Sequence, residues 1–235
     1  MSIGHRSTAR RPGLSRIAPL AVLAAFAMAF AAPPAVAGSA AAAAGTTGTA
    51  RPQVSAGDMI YADNGTACRT QANARNASTY YIIMPGHCTQ GTSAWYTTAS
   101  LTTYIGPTVA TSFPGNDYGL VRYDNPSVPH PGNGFTSAGN AYVGERVCRK
   151  SAVSGLHCGN VTALNATVNY GGGQVVSGLV ATTVCTDPGD TGGLLSAGST
   201  AIGLFVGGSG NCSSGGTAYY QPITEVLAAY GLSLY

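Results

Sequence analysis

Short runs of β-branched and aromatic residues, separated by glycine-rich turn signals, occupy most of this chain. The turn signals combine Gly with Asn, Asp or Pro, as at residues 63–65, 114–116 and 131–134. The runs cover residues 80–83, 120–123, 161–168, 174–183 and 201–206. This alternation is typical of all-β sandwiches and barrels. A helical apolar pattern is found only over residues 223–230, and there we predict a short helix over residues 225–229, capped by Thr224 and ended by Gly231.

The first 37 residues predict export. Four arginines lie in residues 6–16, an apolar run covers residues 17–30, and Ala35-Val36-Ala37 fits a signal-peptide cleavage site. The apolar run is shorter than the roughly 20 residues of a membrane helix. We therefore interpret residues 1–37 as a signal peptide and expect a secreted protein with no membrane attachment after cleavage. Residues 38–52 are rich in Ala, Gly and Thr and predict a disordered spacer, which leaves residues 53–235 for the folded domain.

Charge argues against a nucleic-acid partner. Beyond the predicted signal peptide, seven Lys and Arg stand against eight Asp and Glu. Such a balance gives no basic surface for a phosphate backbone. No motif in the sequence indicates a nucleotide, a haem or another cofactor, so we expect none.

The six cysteines all lie in the predicted exported part: Cys68, Cys88, Cys148, Cys158, Cys185 and Cys212. An even number in an oxidising compartment predicts three disulfides. The sequence alone leaves the pairing open, and joining nearest neighbours is the simplest arrangement. A zinc site built from Cys148, His157 and Cys158 is the alternative, but the adjacent His-Cys pair lacks the usual gap of two to four residues. We therefore expect no metal.

Three short segments carry the candidate chemistry: Gly86-His87-Cys88, Asn116-Asp117 and Gly189-Asp190-Thr191-Gly192-Gly193. Each alone fits a structural role, as a packed histidine, a turn residue and a tight glycine turn. Together, a histidine, an aspartate and a hydroxyl are the parts of an activated nucleophile.

At these segments the chain resembles the bacterial chymotrypsin-type serine proteases, specifically the streptogrisin and α-lytic group. The resemblance covers about residues 54–235, and its most specific stretches are residues 86–88, 116–123, 161–173, 188–190 and 207–212. It implies two six-stranded antiparallel β-barrels, at about residues 53–135 and 136–235, with the active site between them. It also supports the nearest-neighbour disulfides and implies a monomer.

The resemblance assigns a role to each candidate residue. His87 would be general base and then general acid, and Asp117 would orient it and stabilise the imidazolium. Thr191 would be the nucleophile, and the backbone N–H groups of Gly189 and Thr191 would form the oxyanion hole. Asp190 would be buried and paired with the mature N-terminus or with an internal partner.

The resemblance also implies how protein or peptide substrates bind. A substrate strand would pair with the edge near residues 206–208. The residues expected to bind substrate, including those lining the pocket for the side chain before the scissile bond, are Val184, Val206, Gly207, Gly208 and Thr217. None of them is acidic, so selectivity for Arg or Lys is not expected. Phe205 stands where glutamate-selective members have a histidine, which leaves an apolar or aromatic preference.

Four substitutions depart from the family near the active centre. Thr191 replaces the nucleophilic serine, and overpacking by its methyl group costs roughly 1–3 kcal/mol, or about 5- to 150-fold in rate. Val206 replaces a serine whose hydroxyl supports the catalytic aspartate, so we expect Asp117 to be less well anchored. Pro85 replaces an alanine before Gly86-His87 and is expected to shift the histidine, and Leu194 replaces a proline.

These departures leave two functions to compare. The first is a secreted serine-type endopeptidase that cleaves after apolar or aromatic residues with a His87-Asp117-Thr191 triad and reduced activity. The alternative is an inactive pseudoprotease that binds extended peptides in the same cleft.

Overall fold

The computed structural model describes residues 52–135 and 137–235. The predicted signal peptide and all of the predicted spacer except residue 52 lie outside the described residues. The described part consists mostly of β-strands with two short helices. None of its helices is long and apolar enough to cross a membrane.

The first barrel lies in the N-terminal half. Its strands are β1 (Met59–Ala62), β2 (Ala67–Arg69), β3 (Ala72–Asn76), β4 (Thr79–Met84), β5 (Ala94–Tyr96), β6 (Tyr104–Ser112) and β7 (Tyr118–Arg122), and helix α1 (Gly86–Thr89) follows β4. Only Thr70 and Gln71 separate β2 from β3. If these two are counted as one interrupted strand, antiparallel pairing runs β1–β2/β3–β4–β7–β6–β5 and returns to β1. The result is a closed ring of six.

The second barrel follows in the chain. Its elements are β8 (Ser137–Ala138), β9 (Arg146–Ser151), β10 (Gly155–Asn169), β11 (Val175–Thr182), β12 (Leu194–Ala197), β13 (Thr200–Asn211), β14 (Gly215–Pro222), α2 (Ile223–Tyr230) and β15 (Ser233–Leu234). The order β12–β9–β10–β11–β14–β13 closes because β13 also pairs with β12. β8 pairs with β13 outside this ring, and β15 returns to pair with β3 of the first sheet. The predicted all-β, two-barrel fold is therefore confirmed.

Continuously apolar runs on β4 and β7 serve two cores at once. Neighbouring side chains on a strand point to opposite faces. Accordingly Ile82 and Val121 pack inside the first barrel, whereas Ile83 and Leu120 pack in an apolar layer that also contains Leu194, Leu204 and Ile223 of the second half. Each of these buried aliphatic side chains stabilises the fold by roughly 1.5–3 kcal/mol. This shared layer holds the two barrels against each other and thereby positions the loops between them.

The cysteines form the three nearest-neighbour disulfides, Cys68–Cys88, Cys148–Cys158 and Cys185–Cys212. The zinc alternative is therefore wrong, because Cys148 and Cys158 are bonded to each other. His157 precedes Cys158 on β10 and points to the other face, where its Nδ1 lies 3.2 Å from Cys185 Sγ.

The C-terminal helix begins earlier than predicted. It starts at Ile223 directly after Pro222, whose φ of −55° is already close to a helical value. Thr224 is therefore inside the first turn and not the cap, and its hydroxyl donates to Asn140 Oδ1 at 2.6 Å. Gly231 ends the helix in the left-handed conformation, as predicted, with φ 60°.

Candidate active site

His87 and Asp117 meet at the end of the first barrel that faces the second. His87 Nδ1 lies 3.0 and 2.9 Å from the two carboxylate oxygens of Asp117, and the His87 backbone N–H donates to Oδ1 at 2.9 Å. The Asp117 side chain is fully buried, while that of His87 is 41% exposed. The carboxylate therefore fixes the ring from below and leaves its other edge accessible.

Gly86 allows this approach. A Cβ added there would lie 2.6 Å from the Ser112 carbonyl oxygen and 2.8 Å from the Tyr118 backbone nitrogen. Only glycine lets α1 pack this closely on β6 and β7. Pro85 directly precedes α1 with φ −58°, a value that proline adopts without strain, and His87 still reaches Asp117. The expected disturbance by Pro85 does not separate the pair.

Asp117 has two further partners that sequence reasoning missed. Its backbone N–H donates to Gln221 Oε1 at 3.0 Å, and Gln221 is fully buried. The Tyr170 hydroxyl lies 3.1 Å from Asp117 Oδ2 and 3.3 Å from the Val206 carbonyl oxygen. Burial, reinforced by the charge of Asp117, raises the pKa of Tyr170, so this hydroxyl stays a neutral donor. Tyr170 lies within the stretch 161–173 that carries the family resemblance, which was the only signal for it.

Val206 lies at an irregularity of β13, where the register with β14 shifts between Phe205 and Gly207. Its side chain packs with Val176 and Leu179. The hydroxyl expected from this position is absent, but Tyr170 supplies one to the same carboxylate. Asp117 thus has a side-chain hydroxyl donor in this structure although Val206 carries none.

The loop that carries Thr191 is held between the barrels. Gly192 and Gly193 have φ values of 71° and 85°, and a Cβ on either would collide, at 2.9 Å from Arg69 Cβ and 2.7 Å from the Lys150 carbonyl oxygen. Arg69 belongs to the first barrel and Lys150 to the second. Both positions therefore require glycine for conformation and for space.

Asp190 anchors this loop from beneath. Its buried carboxylate accepts hydrogen bonds from Arg149 Nη2 at 3.1 Å, from the Asp187 backbone N–H at 3.0 Å, and from the hydroxyls of Ser151 and Ser154. Burial acts to raise its pKa, but these hydrogen bonds and the charge of Arg149 outweigh burial and lower the pKa of Asp190 to about 2. Of the two expected partners for Asp190, the structure shows the internal one.

Arg149 is itself fully buried. Its guanidinium stands over the Phe205 ring at 4.4 Å, and Nη1 donates to the Gly192 carbonyl oxygen at 3.1 Å. The Arg149 guanidinium thus binds both Asp190 and Gly192, the residues on either side of Thr191. Phe205, on β13, supports this cation.

Thr191 shares a cavity of about 330 Å³ with His87 and Gly189. The Thr191 residue is exposed. Within residues 52–135 and 137–235, no hydrogen bond joins Thr191 to His87, and the backbone N–H groups of Gly189 and Thr191 donate to no protein acceptor. The structure thus pairs His87 with Asp117 and places Thr191 near them without a hydrogen bond.

Four of the five residues predicted to bind substrate lie on the neighbouring strands β13 and β14. Val206, Gly207 and Gly208 follow one another on β13, and Thr217 on β14 pairs with Ser209. Val184 is fully buried in the core of the second barrel.

Thr186 is a neighbour of these residues that the sequence did not indicate. Its side chain lies so close to Gly208 that a Cβ added to Gly208 would come within 2.6 Å of Thr186 Oγ1. Thr186 is also buried, with 7% of its surface exposed.

Two groups of His and Cys side chains in the described residues have the spacing of metal ligands. They are Cys68, His87 and Cys88, and His157, Cys185 and Cys212. In both, the sulfurs are joined in disulfides. Metal binding by cysteine requires thiolates, so neither group is a metal site in this oxidised state.

The chain is similar in sequence and in structure to bacterial serine proteases. The chain is 52% identical to "Serine protease 2" of Streptomyces fradiae over 173 residues, which cover 70% of this chain and 99% of that protein. It is 44% identical to Streptogrisin-D of Streptomyces griseus over 198 residues, or 80% of this chain and 50% of that protein. Among solved structures, "Alpha-lytic protease homolog N4" aligns with 42% identity and a TM-score of 0.71, over 78% of this chain and all of that one. No family model matches the chain.

Proposed function

The chain belongs to the bacterial chymotrypsin-like serine proteases, among the streptogrisins and α-lytic protease homologues, and from this premise we propose that it is a secreted, monomeric endopeptidase with threonine as its nucleophile. One observation carries the proposal. His87 is held within 3.0 Å of a buried carboxylate and lines the same cavity as Thr191 and Gly189. These groups are the base, the orienting acid, the nucleophile and the oxyanion donor of an acyl-transfer site.

The chemistry divides into two similar halves. Thr191 Oγ1 attacks the scissile carbonyl carbon while His87 accepts its proton, and the Asp117 carboxylate stabilises the imidazolium that forms. The backbone N–H groups of Gly189 and Thr191 receive the developing oxyanion. His87 then returns the proton to the leaving amine, which departs as the C–N bond breaks. Water, deprotonated by His87, releases the acyl group from Thr191 and restores the hydroxyl.

Threonine makes this reaction slow. Its hydroxyl must turn toward His87, and its β-branched side chain has few χ1 states from which to do so. The added methyl must also fit beside the imidazole. The resulting cost of roughly 1–3 kcal/mol is about 5- to 150-fold in rate, which reduces activity without removing it.

The substrate strand would lie along β13. Pairing of β13 with β12 ends at Leu204, and beyond it the described residues provide no strand on that side. An extended peptide would add there by backbone hydrogen bonds. We place the P1 side chain against Gly207, Gly208 and Thr217, with an apolar preference, and Thr186 narrows this space for large aromatic side chains.

The second candidate function is peptide binding without cleavage. It is favoured by one observation, that Thr191 forms no hydrogen bond with His87 in the described part of the chain. In this arrangement the Thr191 hydroxyl and the His87 imidazole would contact a bound peptide, but the imidazole would not activate the hydroxyl.

A comparison of three proteins separates the two functions. The full chain, Thr191→Ser and Thr191→Ala are produced by secretion and assayed on casein and on peptides with Ala, Leu or Phe at P1. Turnover by the native chain above that of Thr191→Ala, with Thr191→Ser about 5- to 150-fold faster, supports the threonine protease. Turnover equal to Thr191→Ala, with activity gained in Thr191→Ser, supports the peptide-binding alternative.

A further inference from the structure

We propose that Tyr170 is the positioning residue for the Asp117–His87 pair and that its hydroxyl replaces the one that Val206 lacks. Asp117 Oδ1 is occupied by the His87 backbone N–H at 2.9 Å, and Tyr170 Oη lies 3.1 Å from the other oxygen. A fully buried carboxylate requires such donors to remain in place. This role concerns the geometry of the pair and holds whether or not Thr191 turns substrate over.

The turn that carries Tyr170 is rigidly attached to the loop that carries Asp117. Tyr170 follows β10, and its backbone N–H donates to the Gln174 carbonyl at 2.9 Å, which closes the turn into β11. Gly115, two residues before Asp117, exchanges hydrogen bonds with β11 through Val175 and Ser177 at 2.8 and 3.0 Å. The hairpin tip of the second barrel and the aspartate loop of the first are thus one hydrogen-bonded unit. The phenol is set in place before any substrate binds.

Aromatic packing fixes the direction of the ring. The ring centroid of Tyr170 lies 6.0 Å from that of His87 and 5.6 Å from that of Phe113, and Phe113 lies 5.9 Å from His87. With three rings in mutual contact, the phenol has little freedom to leave the carboxylate.

Val206 contributes to the same arrangement from below. Its methyl groups pack with Val176 and Leu179 of β11, the strand that leads away from the Tyr170 turn. Its backbone carbonyl lies 3.3 Å from Tyr170 Oη, as a second acceptor. The Tyr170 hydroxyl on the hairpin therefore takes the place of the hydroxyl that Val206 on β13 lacks.

The ionisable groups around Asp117 are few. His87 and Tyr170 contact it directly, and Glu225 reaches it only through the Gln221 amide. The raised pKa of Tyr170, caused by its burial and then by Asp117, keeps the hydroxyl protonated as a donor.

The test uses the low-field Nδ1–H proton resonance of His87, which reports its hydrogen bond to Asp117 without requiring turnover. It is recorded for the native chain, Tyr170→Phe, Val206→Ser and the double variant, with His87→Gln for assignment. We expect Tyr170→Phe to broaden or lose the resonance, and Val206→Ser to restore it in the double variant. Tyr142→Phe removes a hydroxyl from an exposed ring and is the matched control, expected to change nothing. An unchanged resonance in Tyr170→Phe, or failure of Val206→Ser to restore it, overturns the proposal.

A second measurement guards against a Tyr170→Phe protein that does not fold. In Asp117→Asn, the pKa of the Tyr170 hydroxyl, followed by its ¹³Cζ resonance, should fall, because the carboxylate that raises it has been removed. No change in that pKa contradicts the contact.

In a Thr191→Ser background, Tyr170→Phe should lower kcat about tenfold, and Val206→Ser should recover most of that loss. If the proteins that retain Thr191 show no activity but the His87 Nδ1–H resonance changes as expected, the protease function is rejected and the role of Tyr170 stands.

Discussion

Two buried aspartates lie beneath the active site, one in each barrel, and they are held in opposite ways. Asp190 pairs with the guanidinium of Arg149, which is permanently charged, and its remaining oxygen sites accept hydrogen bonds from two serine hydroxyls and two backbone N–H groups. Asp117 is held by Tyr170, a neutral donor, by a backbone N–H, and by His87, whose charge changes with its proton. Both side chains are fully buried.

The difference shows how one residue type serves two purposes. A carboxylate compensated by a permanent cation is a structural anchor, and Asp190 accordingly fixes the Thr191 loop from beneath. A carboxylate held mainly by neutral donors keeps its charge available to an imidazolium that forms during catalysis. Stability is therefore expected to depend on the Asp190 network, and positioning of the reacting groups on the Asp117 network.

The largest expected effect comes from breaking the Asp190 pair. Arg149→Met should lower the free energy of unfolding by about 3–5 kcal/mol, because it leaves a buried carboxylate without its cation. Denaturant titration measures this, and a secreted yield too low to titrate counts as the same result. Arg122→Met is the matched control, since Arg122 pairs with Asp124 at the surface with side chains 44% and 32% exposed, and it should change the free energy of unfolding far less. Equal losses in the two variants would contradict the contrast.

A second, smaller effect is the response to acid. The pKa of Asp190 is lowered from 3.8 to about 2 in the folded protein, so the stability it contributes is complete above pH 4 and disappears as the pH falls toward 2. This corresponds to about 2 kcal/mol. The free energy of unfolding at pH 5 and at pH 2.5 should differ by less in Asp190→Asn than in the native chain. The same acid dependence in both would show that another carboxylate is responsible.

The smallest effect on stability is expected on the Asp117 side. Tyr170→Phe keeps the ring packing and removes one hydroxyl from a partly exposed residue, so it should lower the free energy of unfolding by about 1 kcal/mol or less. In a Thr191→Ser background the same change should reduce kcat about tenfold. A large loss of stability with kcat unchanged would reverse the assignment of the two networks.

Short runs of β-branched and aromatic residues made much of the fold predictable. The strands β4, β7, β10, β11 and β13 each overlap one of the runs identified in the sequence. In contrast β3, with the sequence ANARN, contains no β-branched or aromatic residue. It is a strand because β4 and β15 pair with it on both sides, and this tertiary effect leaves no trace in local propensity.

The site was predictable only where one segment carries the chemistry. His87 and Asp117 were found from their own motifs and from their family resemblance. Tyr170 and Asp117 are 53 residues apart, and Arg149 and Asp190 are 41 apart, so each contact depends on how the barrels close. For the same reason the sequence showed only that Val206 lacks a hydroxyl. The Tyr170 hydroxyl that contacts Asp117 lies in the connection between β10 and β11.

The most direct test of Thr191 as the nucleophile of a protease is its covalent capture. An aryl phosphonate ester is attacked at phosphorus by an activated hydroxyl, with loss of the phenol, and the adduct is located by peptide mass mapping. The threonine-protease function predicts a phosphonyl group on Thr191 in the native chain that is absent in His87→Ala. An unlabelled native chain, beside a Thr191→Ser variant that is labelled, would contradict it.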